Sequence, residues 1–134
     1  MTFDEFRQLE LNQPSRKKPA DIEHQIQCAC VCWFRVVHPE LKHLLFAVPN
    51  GGRRDKVTGA KLKAEGALAG VADLILLISK GKYTSLCIEM KTPEGPQSES
   101  QIIWQKEVEA AGSKYVICRS LDDFMSEVNG YLKG

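Results

Sequence analysis

The stretch 70–91, GVADLILLISKGKYTSLCIEMK, constrains this chain more than any other. Two apolar runs flank a Lys-Gly-Lys turn, the pattern of a β-hairpin whose strands feed a core. Yet Asp73 opens the first run, and Glu89 and Lys91 close the second. With the turn centred on Gly81, Ser79 lies opposite Tyr83, and the same register sets Asp73 directly opposite Glu89. Opposed residues of an antiparallel pair have Cβ atoms about 4.5–5.5 Å apart on one face. Lys91, two residues beyond Glu89, shares that face, while Met90 points the other way, into the core. Facing carboxylates repel, and a divalent cation between them would relieve the repulsion, with Lys91 adding positive charge. Oxygen donors of this kind suit Mg²⁺ or Mn²⁺. The same residues also fit a plainer reading: a turn aspartate, and an exposed ion pair of small energetic weight.

The rest of the chain is read around this hairpin. Residues 2–11 predict a short helix, with Thr2 and Glu5 at capping-box spacing. The polar, basic stretch NQPSRKKP follows. A second helix starts near Asp21, with Ile22, Ile26, Ala29, Trp33 and Val37 at helical spacing, and His38-Pro39 closes it. A strand over 43–48 precedes Pro-Asn-Gly-Gly, and a small-residue helix occupies about 58–68. After the strands 73–79 and 83–91, a helix carries an apolar stripe of Ile102, Ile103, Val108 and Trp104. The segment SKYVICRS is a further strand. A last helix runs through Leu121, Phe124, Met125, Val128 and Leu132. A helix linking the hairpin to the next strand makes a crossover, so the expected fold is α/β, a mixed β-sheet flanked by helices on both faces. Residues 1–19 are expected to be a short helix and basic linker, and 20–134 a single domain.

At 134 residues, 43% hydrophobic and 26% charged with net charge +1, the chain is expected to be globular, and its charge total says little about partners. It holds no apolar run long enough to span a membrane and no signal-peptide start, so the expected setting is cytoplasmic. Cys28, Cys30, Cys32, Cys87 and Cys118 form neither a disulfide framework nor a zinc spacing, and are expected to be buried free thiols. On a helix, Cys28 and Cys32 share a face that Cys30 does not. His24, His38 and His43 have no metal-pair spacing. Trp33, Trp104 and Tyr115 are expected in the core.

Landmarks in order along the chain sharpen the reading: Glu23 with Ile-Gln at 26–27, VPNGG at 48–52, GVAD at 70–73, EMK at 89–91, SESQIIWQ at 98–105 and AGSKYVICRSLDDF at 111–124. Together they resemble the virus-type replication-repair nuclease (VRR-NUC) domain of the PD-(D/E)xK nuclease superfamily, in its compact stand-alone phage and bacterial form, from about Ala20 to Leu132. The resemblance implies a restriction-endonuclease-like core and metal-dependent hydrolysis of DNA phosphodiesters. Carried onto this chain, it makes Asp73, Glu89 and the Met90 backbone carbonyl metal ligands and Lys91 the catalytic lysine. Glu23 reaches the metal directly or through water, and Gln101 is an auxiliary polar residue. Ala72 stands where the family often has proline, a change in backbone stiffness rather than in ligand chemistry.

DNA needs cations near such a site. Arg53, Arg54, Lys56, Lys61 and Lys63 against Asp55 give a local balance of +4, and with Asn50 they are the candidate DNA contacts. Arg16, Lys17 and Lys18 form a second cluster. The resemblance implies an endonuclease selective for branched DNA, cutting four-way (Holliday) junctions as a homodimer, since symmetric incisions need two sites about a two-fold axis. The alternatives are a non-catalytic nucleic-acid-binding or assembly module with the same fold, and a general or restriction-type nuclease.

Overall fold

The computed structural model describes residues 2–5, 7, 19–49 and 56–134. Helix α1 (Pro19–Val37) leads through a 3₁₀ turn (Pro39–Leu41) to strand β1 (Leu45–Ala47) and helix α2 (Lys56–Ala64). Strands β2 (Leu74–Leu76) and β3 (Leu86–Met90) form the hairpin, followed by α3 (Glu99–Ala110), β4 (Lys114–Cys118) and α4 (Leu121–Lys133). The sheet order is β1-β2-β3-β4. The first two pairings are antiparallel and β3–β4 is parallel, with α3 as the crossover. The mixed sheet between helices is therefore as expected, with strands shorter than the sequence suggested.

Strand alternation sorts the core into two layers. Leu86, Ile88 and Met90 face α1 and α4, where they pack with Ala29, Cys30, Trp33, Phe34, Phe124, Val128 and Tyr131. Cys87 faces the other way, toward Ala72, Tyr115, Ile75, Trp104 and Val108, beneath α3. Glu89 shares the parity of Cys87 and so lies on the α3 side. Near the N-terminus the Thr2–Glu5 capping box forms, with Glu5 N donating to Thr2 Oγ1 at 3.1 Å and Thr2 N to Glu5 Oε2 at 3.4 Å. Phe3 rests against the larger core layer.

The hairpin holds the expected register at its far end but not at its turn. Leu74 pairs with Ile88 and Leu76 with Leu86, which extrapolates to Asp73 opposite Glu89. The turn, however, is closed by Lys80 and Tyr83, through reciprocal backbone bonds of 3.0 and 2.9 Å. Residues 77–79 thus lie against 84 and 85 alone, so the first strand carries one extra residue, a bulge. Gly81, at φ 57, supplies the positive angle of a two-residue turn. The bulge cancels the shift in the turn, and the register near Asp73 survives.

Three helical expectations need correction. In α3, Ile102 and Ile103 are exposed; the face toward the sheet is Gln101, Trp104, Gln105 and Val108, with both glutamines engaged in polar contacts below. In α1 the buried stripe is Ala29, Cys30, Trp33 and Phe34, and Val37 is outside. Cys28 is exposed and Cys32 half-buried, whereas Cys30, Cys87 and Cys118 are buried as expected. No helix among the described residues is long and apolar enough to cross a membrane.

The two classes of apolar residue should separate on mutation. Phe34→Ala, at a fully buried position, is expected to cost about 3–5 kcal/mol in urea denaturation. Ile103→Ala, at an exposed one, should stay within about 0.5 kcal/mol.

Candidate active site

The hairpin charges meet at the end of the sheet where β3 stops. Successive backbone N–H groups of a strand point to opposite sides. Lys91 N–H donates to Cys118 O in the next strand at 3.0 Å, so Met90 N–H points toward β2, beyond the last paired residue. Asp73 Oδ2 accepts it at 2.7 Å, so a side chain takes the place of the missing strand carbonyl. This bond holds the Asp73 carboxylate against β3, beside Glu89.

Glu89 is 2% exposed. Its Oε1 accepts a 2.7 Å hydrogen bond from Gln101 Nε2, while its Oε2 is buried without a hydrogen-bond partner. Gln101 is held from its other end: Ser98 caps α3, with Ser98 Oγ accepting from Gln101 N at 3.3 Å and Gln101 Oε1 accepting from Ser98 N at 2.8 Å. One side chain therefore completes a capping box and fixes a buried carboxyl group. Gly70 makes this approach possible: at φ 90, a Cβ there would sit 2.4 Å from the Ser100 carbonyl oxygen.

Burial, the Asp73 charge and, more weakly, the Glu23 charge push the Glu89 carboxyl up to about 8, against the pull of Lys91. Burial raises Asp73 as well, opposed by the Met90 N–H, the neighbouring Glu89 carboxyl and the Lys91 charge. Beneath the acids, Gln97 Nε2 bridges Gln105 Oε1 at 2.8 Å and the Tyr115 hydroxyl at 3.3 Å. Burial lifts the Tyr115 hydroxyl to about 12, with the negative charge of Glu89 and Asp73 adding to it.

Asp73, Glu89, Met90, Lys91, Gln101 and Glu23 all line one cleft of about 230 Å³, with Ala69, Gly70 and Val71 as its remaining wall. Four separated stretches of sequence are thus brought to one point. Asp73 and Glu89 serve the same cleft rather than opposite sheet faces. Lys91 enters no ion pair among the described residues. Glu23 reaches the cleft from the first turns of α1 and also lines a larger groove of about 880 Å³, walled by α1 and the segment Ala47–Pro49.

The donor set fits a hard divalent cation. It offers two carboxylates and one buried oxygen with no hydrogen bond, and cation binding would satisfy that oxygen. Among the described residues, no group of three His, Cys, Asp or Glu side chains is gathered as for a metal ion, and Glu23 lines the cleft from α1. Of the expected DNA contacts, Lys61 and Lys63 are exposed on α2. Lys56 starts that helix, and Asn50, Arg53 and Arg54 lie outside the described residues, as do Arg16, Lys17 and Lys18. Sequence reasoning missed Gly70, Gln97, Gln105 and Tyr115. The one available signal was the i, i+4 glutamine pair on a helix otherwise read for its isoleucines.

Comparison with known proteins identifies the family and the fold. Residues 15–122 match the VRR-NUC domain family. A solved structure titled "VRR_NUC domain protein" superposes with a TM-score of 0.74 at 24% identity, covering 84% of this chain and 88% of that one, a likeness of fold. No curated protein sequence matches.

Because folding raises the proton affinity of Glu89, the folded state keeps a proton between pH 4.5 and about 8 that the unfolded chain releases. Stability is therefore greatest at the low end of this window and is lost as pH rises through it. In EDTA, the wild type should be on the order of 2 kcal/mol less stable at pH 8 than at pH 5. Glu89→Gln should flatten that slope, as read from melting temperatures across the same range.

Proposed function

The chain belongs to the VRR-NUC domain family, and from that premise we propose that it is a divalent-metal-dependent endodeoxyribonuclease with its active site at Asp73, Glu89 and Lys91. The observation that carries this reading is the pair of acids held face to face at a strand end, one oxygen of Glu89 buried without a partner. Family membership implies nuclease chemistry; the roles of individual residues are our assignment.

Asp73, Glu89 and the Met90 carbonyl would hold Mg²⁺ or Mn²⁺, with Glu23 acting through water; the bound ion supplies Lewis-acid polarisation of a phosphoryl oxygen and a more acidic water. This chain's own residues do the rest. Met90 N–H and Gln101 Nε2 keep one oxygen of each acid occupied and so fix which oxygens face the cleft. Lys91, bound to no carboxylate, can bring its ammonium to the scissile phosphate, where a compact positive charge stabilises the charge that develops in displacement. Lys61 and Lys63, with Lys56, Asn50, Arg53 and Arg54 from the adjoining segment, are assigned to contact the phosphate backbone on either side.

The substrate we assign is branched DNA, four-way junctions above all, cut by a homodimer whose two sites make symmetric nicks. Purified protein given labelled duplex, flap and four-way-junction DNA with Mg²⁺ or Mn²⁺ should nick the junction in matched positions. Equal cutting of all three would replace this assignment with a general nuclease. No cutting of any would leave a DNA-binding module. Asp73→Asn and Lys91→Ala should each lose at least about 10²-fold in cleavage rate while keeping the wild-type circular dichroism spectrum. Mg²⁺ should raise the melting temperature of the wild type and leave that of Asp73→Asn unchanged.

A further inference from the structure

Immediately after Lys91 the chain leaves the sheet and folds into a tight turn over Thr92–Gly95, closed by Gly95 N donating to Thr92 O at 3.1 Å. Three carbonyl oxygens of this turn converge on one group. Arg119 Nη1 donates to Gly95 O at 2.7 Å, to Thr92 O at 2.9 Å and to Pro93 O at 3.4 Å. The guanidinium comes from the junction of β4 and α4, and its own backbone is tied down there: Arg119 N donates to Asp123 Oδ2 at 3.0 Å, and Asp123 N donates to Ser120 Oγ at 3.0 Å. None of the ion pairs among the described residues includes Arg119. Its charge is spent on backbone dipoles, not on an acid.

The partners are unusual for what they leave out. An arginine there for surface charge would face a carboxylate or water. This one reaches from one element to the first residues beyond the E-x-K strand and is bonded to nothing else there but main chain. Lys91 therefore lies between two anchors. On its N-terminal side, Met90 N is held by Asp73 and its own N–H by Cys118 O; on its C-terminal side the turn is held by Arg119. A side chain with four rotatable carbons and no ion pair has only its backbone to fix where it starts.

We propose that Arg119 is a positioning residue for Lys91: it cages the Thr92–Gly95 carbonyls and so fixes the strand end from which the lysine projects into the cleft. The inference rests on the nuclease reading for its activity test, and on the clamp alone for its structural test. Displacing a reacting group by about an ångström can cost on the order of 10²-fold in rate, so loss of the clamp acts on turnover, not on DNA affinity.

The variants are Arg119→Ala and Arg119→Lys, compared with the wild type on whichever DNA the wild type cuts. Arg119→Ala should lower kcat by about 10- to 100-fold with KM within about twofold. Arg119→Lys should recover part of the loss, since an ammonium can still take carbonyl bonds. Millimolar guanidinium, too dilute to unfold the protein, should restore turnover in Arg119→Ala and leave the wild type unchanged. Amide hydrogen exchange on Arg119→Ala should speed up over 91–95 while the strands β2 and β4 keep wild-type protection. Unchanged kcat, a loss wholly in KM, or exchange that accelerates uniformly across the fold would each overturn the inference. If the wild type cuts no DNA at all, the nuclease reading is what fails. The exchange result then decides on the clamp by itself: acceleration confined to 91–95 upholds it, and protection equal to wild type removes it.

Discussion

Two carboxyl groups placed face to face in a nearly dry strand end are the constraint to which the neighbouring chain responds. Taking a charged carboxylate out of water costs several kcal/mol unless it is paired or bonded. Here the response is partial. Asp73 is given a backbone N–H, Glu89 is given one amide donor, and Lys91 lends its field from a distance that forms no ion pair. One oxygen of Glu89 receives nothing. A core optimised for stability would have placed apolar side chains at these positions. The strand instead keeps a group whose proton affinity rises until it titrates near pH 8, the kind of local inconsistency that marks a site.

The place where this occurs follows from topology. Strands β3 and β4 run parallel, so both present their carboxyl ends to the same edge, the customary position of ligand sites in α/β sheets. β2, antiparallel to β3, begins there just after Asp73, and the crossover brings the first turn of α3 back over the same point. The side chain that caps α3 is consequently in reach of the buried acid, and Gln101 performs both tasks. Gly70 belongs to the same arrangement, because any side chain there would drive the loop off the Ser100 carbonyl and open the gap between helix and strand.

Much of this is legible in the sequence, and the exceptions have physical causes. The opposition of Asp73 and Glu89 follows from apolar alternation on both sides of a short turn, and it held even though the turn itself closes one residue later. Turn geometry is a local matter of φ angles, while register is pinned by which side chains enter the core, so a bulge reconciles the two. The stripe of α3 was misread because hydrophobic period assumes an apolar floor. This floor contains Glu89 and the Tyr115 hydroxyl, and glutamines serve it better than isoleucines. Cys28 was misplaced because helical spacing tells which residues share a face but not which face is covered; Cys30, two positions on, is in the core. The carbonyl cage around Arg119 leaves no pattern in sequence, since its acceptors are main-chain atoms common to every residue type.

The two kinds of charged group at this strand end need different support. Carboxylates that shared a cation would be held by the cation as well as by the protein, and its binding would correct their positions. An ammonium would get no such help: a cation would repel it, and no acid among the described residues forms an ion pair with it. Its placement has to come from the main chain on either side. On one side that is the sheet, with Lys91 N–H on Cys118 and Met90 N–H on Asp73; on the other it is a turn whose carbonyls close around a guanidinium. The bond from Met90 N to Asp73 belongs to both systems at once, since it orients an acid and braces the residue before the lysine. Asp73 and Lys91 are thus both placed through bonds to the same short stretch of main chain, residues 90–95.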